Sequence, residues 1–182
     1  MKMDKVAGSG NDEFYTPAYA VRPIMRYIPA ESTIWCPFDT DDSLFVKLLE
    51  GEGHKVVFSH ISNGVDFFST EPPEGTEYIV SNPPYSLKNE VFERLFQLNI
   101  PFAMLVGVVG LFESQRRFQL FKNNEFEVMY LSKRVSYMQD FCSGKTAMNP
   151  PFSSVYLCHK MLPQPIIFEE IEKKEVLPEV AA

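Results

Sequence analysis

The sequence predicts an α/β sandwich whose central β-sheet is mostly parallel. Strand-like and helix-like segments alternate along the chain, which is typical of folds in which helices cover both faces of a parallel sheet. One segment, PFAMLVGVV at residues 101–109, is nearly all apolar, as expected for a strand that is buried on both faces. The 182 residues are 45% hydrophobic and 23% charged, which is the composition of a globular domain with a sizeable core.

The first half of the chain predicts two helices and three strands. Thr16 and Pro17 indicate the start of the first helix, because threonine caps helix N-termini and proline suits the first helical position. Pro23 should kink or break this helix. The second helix should be capped by Asp41 or Asp42 and should end at glycines. In order, the predicted elements are a helix over 16–28, a strand over 33–38, a helix over 41–53, and strands over 54–61 and 77–85.

The second half continues the alternation. Residues 87–98 predict a helix, because Val91, Leu95 and Leu98 fall on one face. We then expect the apolar strand at 101–109, a short helix over 113–124, and strands over 127–132 and 153–160. Residues 1–10 are expected to be a flexible arm, 11–161 a single domain, and 162–182 an extended, poorly packed tail.

Charge and composition limit the function classes. The net charge of −7 argues against a protein that coats nucleic acid generally, but it leaves room for a local basic face. Arg116, Arg117, Lys133 and Arg134 are the first candidates for phosphate contacts if the substrate is nucleic acid. The three cysteines form neither a zinc pattern nor a disulfide framework, and no segment approaches the ~18 apolar residues of a membrane span. We therefore expect a cytoplasmic protein with no membrane partner.

The segment SNPPYS at residues 81–86 carries the clearest chemistry. It follows a predicted strand, and active sites of parallel sheets lie beyond the C-terminal ends of their strands. Asn82 and the Pro83 carbonyl offer two acceptors, Pro84 stiffens the backbone, and Tyr85 supplies a flat ring. Two acceptors beside a ring suit a planar amino group, and stacking on a base is worth about 1–3 kcal/mol. The alternative is that the prolines only end the strand, but the four residues together favour a functional interpretation.

Four segments carry a family resemblance. SNPPYS resembles the Asn-Pro-Pro-Tyr signature of S-adenosylmethionine-dependent amino-group methyltransferases, which include adenine-N6 DNA and RNA methyltransferases and protein-glutamine methyltransferases. FYTP at 14–17 resembles their Thr-Pro motif, CPFDTDDS at 36–43 lies at the position of their cofactor loop, and VDFF at 65–68 resembles the segment beside the cofactor adenine. The likeness covers residues 11–160 and extends to small adenine methyltransferase-like proteins of phages and bacterial mobile elements.

The resemblance implies a Rossmann-like class I methyltransferase fold and a complete set of site residues. The implied catalytic residues are Asn82, Pro83, Pro84 and Tyr85, and those implied to bind S-adenosylmethionine are Tyr15, Thr16, Pro17, Pro37, Phe38, Asp39, Asp66 and Phe67, with no metal required.

Two loops depart from the family pattern. Thr40 and Asp42 replace the two glycines of the cofactor loop, and Cys36 replaces its leading acid. After the next strand, Ser59 and His60 stand where the family places an acid for the ribose hydroxyls. Structural roles are an alternative to cofactor binding, because threonine and aspartate commonly cap helices or turns. This alternative applies to Thr16, Asp41, Asp42 and Asp66.

The resulting prediction is an adenine-N6 methyltransferase that transfers a methyl group from S-adenosylmethionine to nucleic acid, with DNA favoured over RNA. One alternative is a methyltransferase-like fold that has lost turnover and serves as a binding or regulatory protein, which the missing glycines suggest. Another keeps the enzyme but makes the acceptor a glutamine amide of a protein. The sequence does not indicate an oligomeric state.

Overall fold

The computed structural model describes residues 14–147 and 152–178, and the expected arm at 1–10 lies outside the described residues. Within the described part, the helices are α1 (Ala18–Met25), α2 (Leu44–Gly51), α3 (Lys88–Leu98) and α4 (Gln115–Lys122), and the strands are β1 (Thr33–Cys36), β2 (Lys55–Phe58), β3 (Tyr78–Ser81), β4 (Phe102–Gly107), β5 (Glu127–Leu131), β6 (Ser154–His159) and β7 (Ile166–Glu169).

The seven strands form one mixed sheet in the order β2-β1-β3-β4-β6-β5-β7. The pairs β2–β1, β1–β3, β3–β4 and β5–β7 are parallel, whereas β6 runs antiparallel to both β4 and β5. The predicted α/β class with a mostly parallel central sheet is therefore confirmed. The parallel half carries the ends of β1, β2 and β3 at one edge, which is the edge that positions the site.

Helices cover the two faces of the sheet in pairs. On one face α1 and α2 pack through residues such as Ile24 and Leu49, and on the other α3 and α4 pack through Phe92 and Phe121. All six residues of β4 are buried, as predicted for a strand between two helical layers, and they alternate between the two clusters. Each large apolar side chain buried in this way contributes about 1.5–3 kcal/mol.

The caps of the first two helices differ from those predicted. The first helix begins at Ala18 after Pro17, and no side chain caps it. The hydroxyl of Thr16 instead accepts a hydrogen bond from Asn82 Nδ2. Ser43 caps the second helix by accepting from the backbone N–H of Phe45, so neither of the two preceding aspartates is the cap. Ser43 is the cap because it immediately precedes the first helical residue, which is the position that an N-cap occupies.

Residues 162–178 are not the poorly packed tail that the sequence suggested, and residues 179–182 lie outside the described part. Strand β7 pairs with β5 along its whole length, and Ile171 is buried. The carbonyls of Glu175 and Val176 accept hydrogen bonds from the N–H groups of Tyr19 and Ala18. These donors belong to the first turn of α1 and lack intrahelical partners, so the C-terminal segment replaces the missing side-chain cap.

No helix within the described residues is both long enough and apolar enough to cross a bilayer.

Candidate functional site

A cavity of about 850 Å³ opens at the C-terminal edge of the parallel strands. Its size lies in the range of small-molecule sites, and its place is the one at which α/β sheets bind ligands. The loops after β1, β2 and β3 supply most of the lining, and the segment before α1 and the loop after β5 complete it. The lining residues are Phe14–Thr16, Pro37–Thr40, Asp42, Ser43, His60–Ser62, Val65–Phe68, Asn82, Pro84, Ser86, Leu87 and Asp140–Cys142.

Most of the residues that the sequence singled out meet at this cavity. Tyr15, Thr16, Pro37, Phe38, Asp39, Asp66, Phe67, Asn82 and Pro84 all line it. Pro17, Pro83 and Tyr85 do not belong to the lining.

Asn82 lies at the end of β3 with its side-chain amide fixed in one orientation. Its Nδ2 donates to the carbonyl of Phe14 at 3.0 Å and to the hydroxyl of Thr16 at 3.3 Å. Because both partners accept hydrogen bonds, the amide nitrogen faces them. The amide oxygen therefore points the other way. That oxygen, Oδ1, is buried and has no hydrogen-bond partner among the described residues. A buried acceptor without a partner costs about 1–3 kcal/mol, and such groups in folded proteins call for an explanation.

The ring of Tyr85 is covered instead of facing the cavity. Phe14 stacks on it with ring centroids 4.9 Å apart and an interplanar angle of 29°. Phe152 packs against it at 5.7 Å, and the Lys88 ammonium lies over the ring at 5.0 Å. The face that was expected to receive a planar substrate is therefore occupied by Phe14, which itself lines the cavity.

A chain of buried hydroxyls anchors the tyrosine from behind. The hydroxyl oxygens of Tyr85 and Tyr137 lie 2.8 Å apart, and that of Tyr137 lies 2.9 Å from Ser154 Oγ. Burial raises the pKa of Tyr85 well above its usual value and raises that of Tyr137 to about 12, so both hydroxyls stay neutral. These hydrogen-bonded hydroxyls fix the plane of the Tyr85 ring. They leave little freedom of rotation to the elbow, the Asn-Pro-Pro-Tyr turn at residues 82–85.

Asp39 is engaged within the protein. Its two carboxylate oxygens accept hydrogen bonds from Ser43 Oγ and Ser81 Oγ, each at 2.5 Å. Burial raises the pKa of this carboxyl to about 6, against the lowering effect of the two serines. Asp39 therefore ties the loop after β1 to the end of β3, a structural role that the sequence did not reveal.

The loop at 37–43, which departs from the motif it resembles, borders the cavity. Thr40 and Asp42 both place side chains on the cavity, where glycines would leave room for a ligand to approach the backbone. Asp42 also pairs with Lys47, at 3.1 Å on the exposed surface. The loop is thus bulkier and more acidic than the family pattern, and the cavity is bounded by side chains at this point.

The loop after β2 offers hydroxyl, imidazole and carboxylate groups. The hydroxyl of Ser59 accepts from Trp35 Nε1 at 3.0 Å and is buried, so it is committed to the core. The ring of His60 contacts Ser62 and caps the short 3-10 turn that follows. Asp66 accepts from the N–H of Phe68 through Oδ1, which bears out a capping role, while it also lines the cavity.

A hairpin at residues 136–147, which no sequence motif predicted, forms one wall of the cavity. Its Asp140, Phe141 and Cys142 line the cavity. It is joined to the segment before α1 by an isolated bridge between Tyr15 and Met138, and the rings of Tyr15 and Phe141 meet edge to face at 4.7 Å. Sequence reasoning missed this wall, because pairing between segments so far apart in the chain leaves no local pattern.

Two of the arginines expected to contact phosphate are engaged by other groups, whereas Lys133 and Arg134 are exposed. Arg116 forms ion pairs with Glu90 and Glu93. Arg117 donates to Asn89 Oδ1 and to two backbone carbonyls within the loop after β4. Neither guanidinium is presented as a free phosphate ligand, so this helix offers less basic surface than its sequence suggests.

Comparison with known proteins identifies the fold. The chain is similar to a solved structure assigned as a modification subunit of a type I restriction enzyme from Vibrio vulnificus YJ016, with a TM-score of 0.53 and 12% sequence identity. The match covers 95% of this chain and 50% of that subunit, so the chain spans half the subunit's length. No family model and no curated protein matches the sequence. At this identity the likeness concerns architecture alone, and it shows that the chain has a Rossmann-like methyltransferase fold.

Proposed function

We propose that this protein is an S-adenosylmethionine-dependent methyltransferase that modifies the N6 amine of adenine in nucleic acid, DNA more than RNA. Three features support the proposal: the fold, the cavity at the strand ends, and the Asn-Pro-Pro-Tyr elbow beside it. The similar solved structure is a modification subunit of a restriction enzyme, which favours DNA as the acceptor.

The observation that carries the proposal is Asn82 Oδ1, which has no hydrogen-bond partner in the part of the chain that the structure describes. The amide is held from the other side by Phe14 and Thr16, so its acceptor is kept free at a defined place. A residue built to bind a substrate N–H has this arrangement, because the missing hydrogen bond is supplied on binding. Since Oδ1 is shielded from water, the substrate amine reaches it only after neighbouring side chains move.

The residues around the cavity fit S-adenosylmethionine. Phe38 and Phe67 form an aromatic pair with centroids 4.8 Å apart, and they would border its adenine ring. Asp66 would accept from the adenine amino group, and Tyr15 with Thr16 would contact the methionine end. Bound there, S-adenosylmethionine would supply the methyl group as an electrophilic sulfonium. Asp39, which the two serines engage, would support the loop instead of binding this ligand.

The chain's own contribution to catalysis would be positioning and hydrogen bonding. Asn82 Oδ1 and the Pro83 carbonyl would accept the two N–H groups of the target amine and leave the nitrogen lone pair free for attack on the methyl carbon. The N–C bond would form as the S–C bond of the donor breaks, and the methylated amine would lose one proton to water. Tyr85, anchored by Tyr137, would stack on the base once Phe14 moves aside.

Two observations favour other candidates. The covered ring of Tyr85 and the glycine-free loop favour a binding protein that has lost turnover. The engaged guanidinium groups of Arg116 and Arg117 favour a protein-glutamine acceptor, whose amide presents the same planar NH₂ group without phosphates.

Labelled-methyl transfer from S-adenosylmethionine, with DNA, RNA and total protein offered in turn, tests the proposal. We expect label in DNA. Asn82→Ala should reduce transfer at least about 100-fold, since it removes a hydrogen bond to the reacting amine. Asn124→Ala, which changes another half-buried asparagine outside the cavity, should retain transfer.

Circular dichroism and thermal unfolding should show that Asn82→Ala still folds. Label in protein alone would replace the acceptor class in the proposal. An absence of transfer together with an absence of cofactor binding would support the non-catalytic alternative.

A further inference from the structure

Four aspartates reach the cavity from three different loops. Asp39 and Asp42 both lie in the loop between β1 and α2, Asp66 follows β2, and Asp140 comes from the hairpin opposite. No lysine or arginine belongs to the lining among residues 14–147 and 152–178. The cavity wall therefore carries a concentration of negative charge that no cation in the described lining offsets.

Neutral groups hold most of these carboxylates in place. The backbone N–H groups of Cys142 and Ser143 donate to Asp140 Oδ1, and the Ser143 hydroxyl donates to Oδ2. Serine hydroxyls hold Asp39, and a backbone N–H holds Asp66. Hydrogen bonds from neutral donors hold a carboxylate in place and add no positive charge beside it.

Two lysines lie near these carboxylates. Lys47 pairs with Asp42, but both side chains are largely exposed and such pairs are strongly screened. Lys145 exerts a weak electrostatic influence on Asp140. Neither lysine lines the cavity, so the field inside it stays negative.

This field disfavours the ligands that Rossmann-like sheets often hold by their phosphates. Phosphate binding in those folds uses a glycine-rich turn and the N-terminus of the following helix. Here α2 begins next to Asp42, and the buried Asp39 accepts from its cap residue, Ser43. The positive end of the helix is therefore already flanked by carboxylates, and an anion would be repelled.

We propose that the acidic lining makes the cavity distinguish the positively charged sulfonium of S-adenosylmethionine from the neutral thioether of its demethylated product. The inference rests on the proposed function and adds a specificity to it. Donor and product share the adenosine, the ammonium and the carboxylate, and they differ by one methyl group and one positive charge. The aspartates then retain the donor and speed the release of the product.

Isothermal titration calorimetry with the full chain tests this. We expect S-adenosylmethionine to bind at least about tenfold more tightly than S-adenosylhomocysteine at low salt, and the ratio of the two dissociation constants to fall as salt is raised. Asp140→Asn, which keeps an oxygen for the backbone donors, should reduce this ratio severalfold, and Asp42→Asn should act in the same direction. Asp41→Asn is the matched control, because Asp41 is exposed and adjacent but outside the lining.

Each result bears on a different claim. Equal affinities for donor and product would overturn the charge selection and leave the proposed function standing. No binding of either ligand at millimolar concentration would overturn both. A ratio that survives both Asp140→Asn and Asp42→Asn, and does not respond to salt, would show that these carboxylates are not its source. Thermal unfolding identifies any variant that fails to fold, in which case the remaining variant and the salt series decide.

Discussion

The elbow at residues 82–85 and the loop at 37–43 border the same cavity, yet they differ in how closely they resemble the methyltransferase motifs. The elbow matches all four residues of the Asn-Pro-Pro-Tyr signature, and its buried Asn82 acceptor has no partner among the described residues. The loop lacks the two glycines of the motif it resembles, and the carboxylate of Asp39 is bound by two serines. The polar group of the elbow is thus available to a ligand, whereas that of the loop is used within the protein.

Asp39 is a residue of the cavity lining whose carboxylate serves the fold. Asp39 still lines the cavity, but its hydrogen bonds run to Ser43 at the start of α2 and to Ser81 at the end of β3. It therefore fastens the loop to the strand that carries the elbow. The two regions are mechanically linked, and each can be tested for what it contributes.

The largest expected effect is a dependence of stability on pH that comes from Asp39. Its pKa is raised to about 6 by burial, from an ordinary 3.8. Between these values the folded state binds the proton more tightly than the unfolded state, so the carboxyl's contribution to stability is full below about pH 4 and is lost as the pH rises through 6. Over that window, wild type should lose about 3 kcal/mol relative to Asp39→Asn.

Urea unfolding of both proteins at pH 4 and pH 7 measures this difference. Asp41→Asn, on the exposed part of the same loop, should follow wild type at both pH values. Parallel profiles for wild type and Asp39→Asn would mean that the carboxyl titrates normally and that burial does not raise its pKa in the way described.

The second effect concerns the elbow. Phe14→Ala removes the ring that covers Tyr85, and it should destabilise the protein by about 1–3 kcal/mol because a half-buried aromatic contact is lost. The carbonyl of Phe14 stays, so Asn82 keeps its partner. With the tyrosine face open, 2′-deoxyadenosine should bind several-fold more tightly, as measured by nuclear magnetic resonance titration.

Phe141→Ala is the matched control, because it removes a ring from the same cavity wall without uncovering the tyrosine. If both variants bind the nucleoside as wild type does, Phe14 does not block the elbow.

The architecture was predictable because its signals are local. The apolar run that became β4 needs both faces covered, and the stripe of Val91 and Leu95 needs a helix, whatever the rest of the chain does. Strand β7 was missed because it is short, lies near prolines and exposes its apolar residues Ile166 and Phe168, so only pairing with the distant β5 fixes it as a strand.

The site was predictable to the same extent and for the same reason. Motif residues that follow β1, β2 and β3 had to meet, since the ends of parallel strands share one edge. The contacts that decide how the site works join distant segments: Phe14 to Tyr85, Tyr85 to Tyr137, and Asp39 to Ser81. Such contacts depend on tertiary packing, which no spacing in the sequence encodes.

The smallest expected effect tests whether a side chain of the loop at 37–43 limits binding of the proposed methyl donor. Thr40→Gly removes a side chain from the cavity wall while the Thr40 carbonyl, which accepts from Ser43 N–H, remains. Glycine adds backbone freedom to the unfolded chain, so stability should fall by up to about 1 kcal/mol. The added room should tighten S-adenosylmethionine binding a few-fold by calorimetry, whereas Thr70→Gly, in a loop outside the cavity, should leave the affinity unchanged. A weaker affinity for Thr40→Gly would mean that the threonine contacts the ligand, so that the loop has gained a binding residue where the family has a glycine.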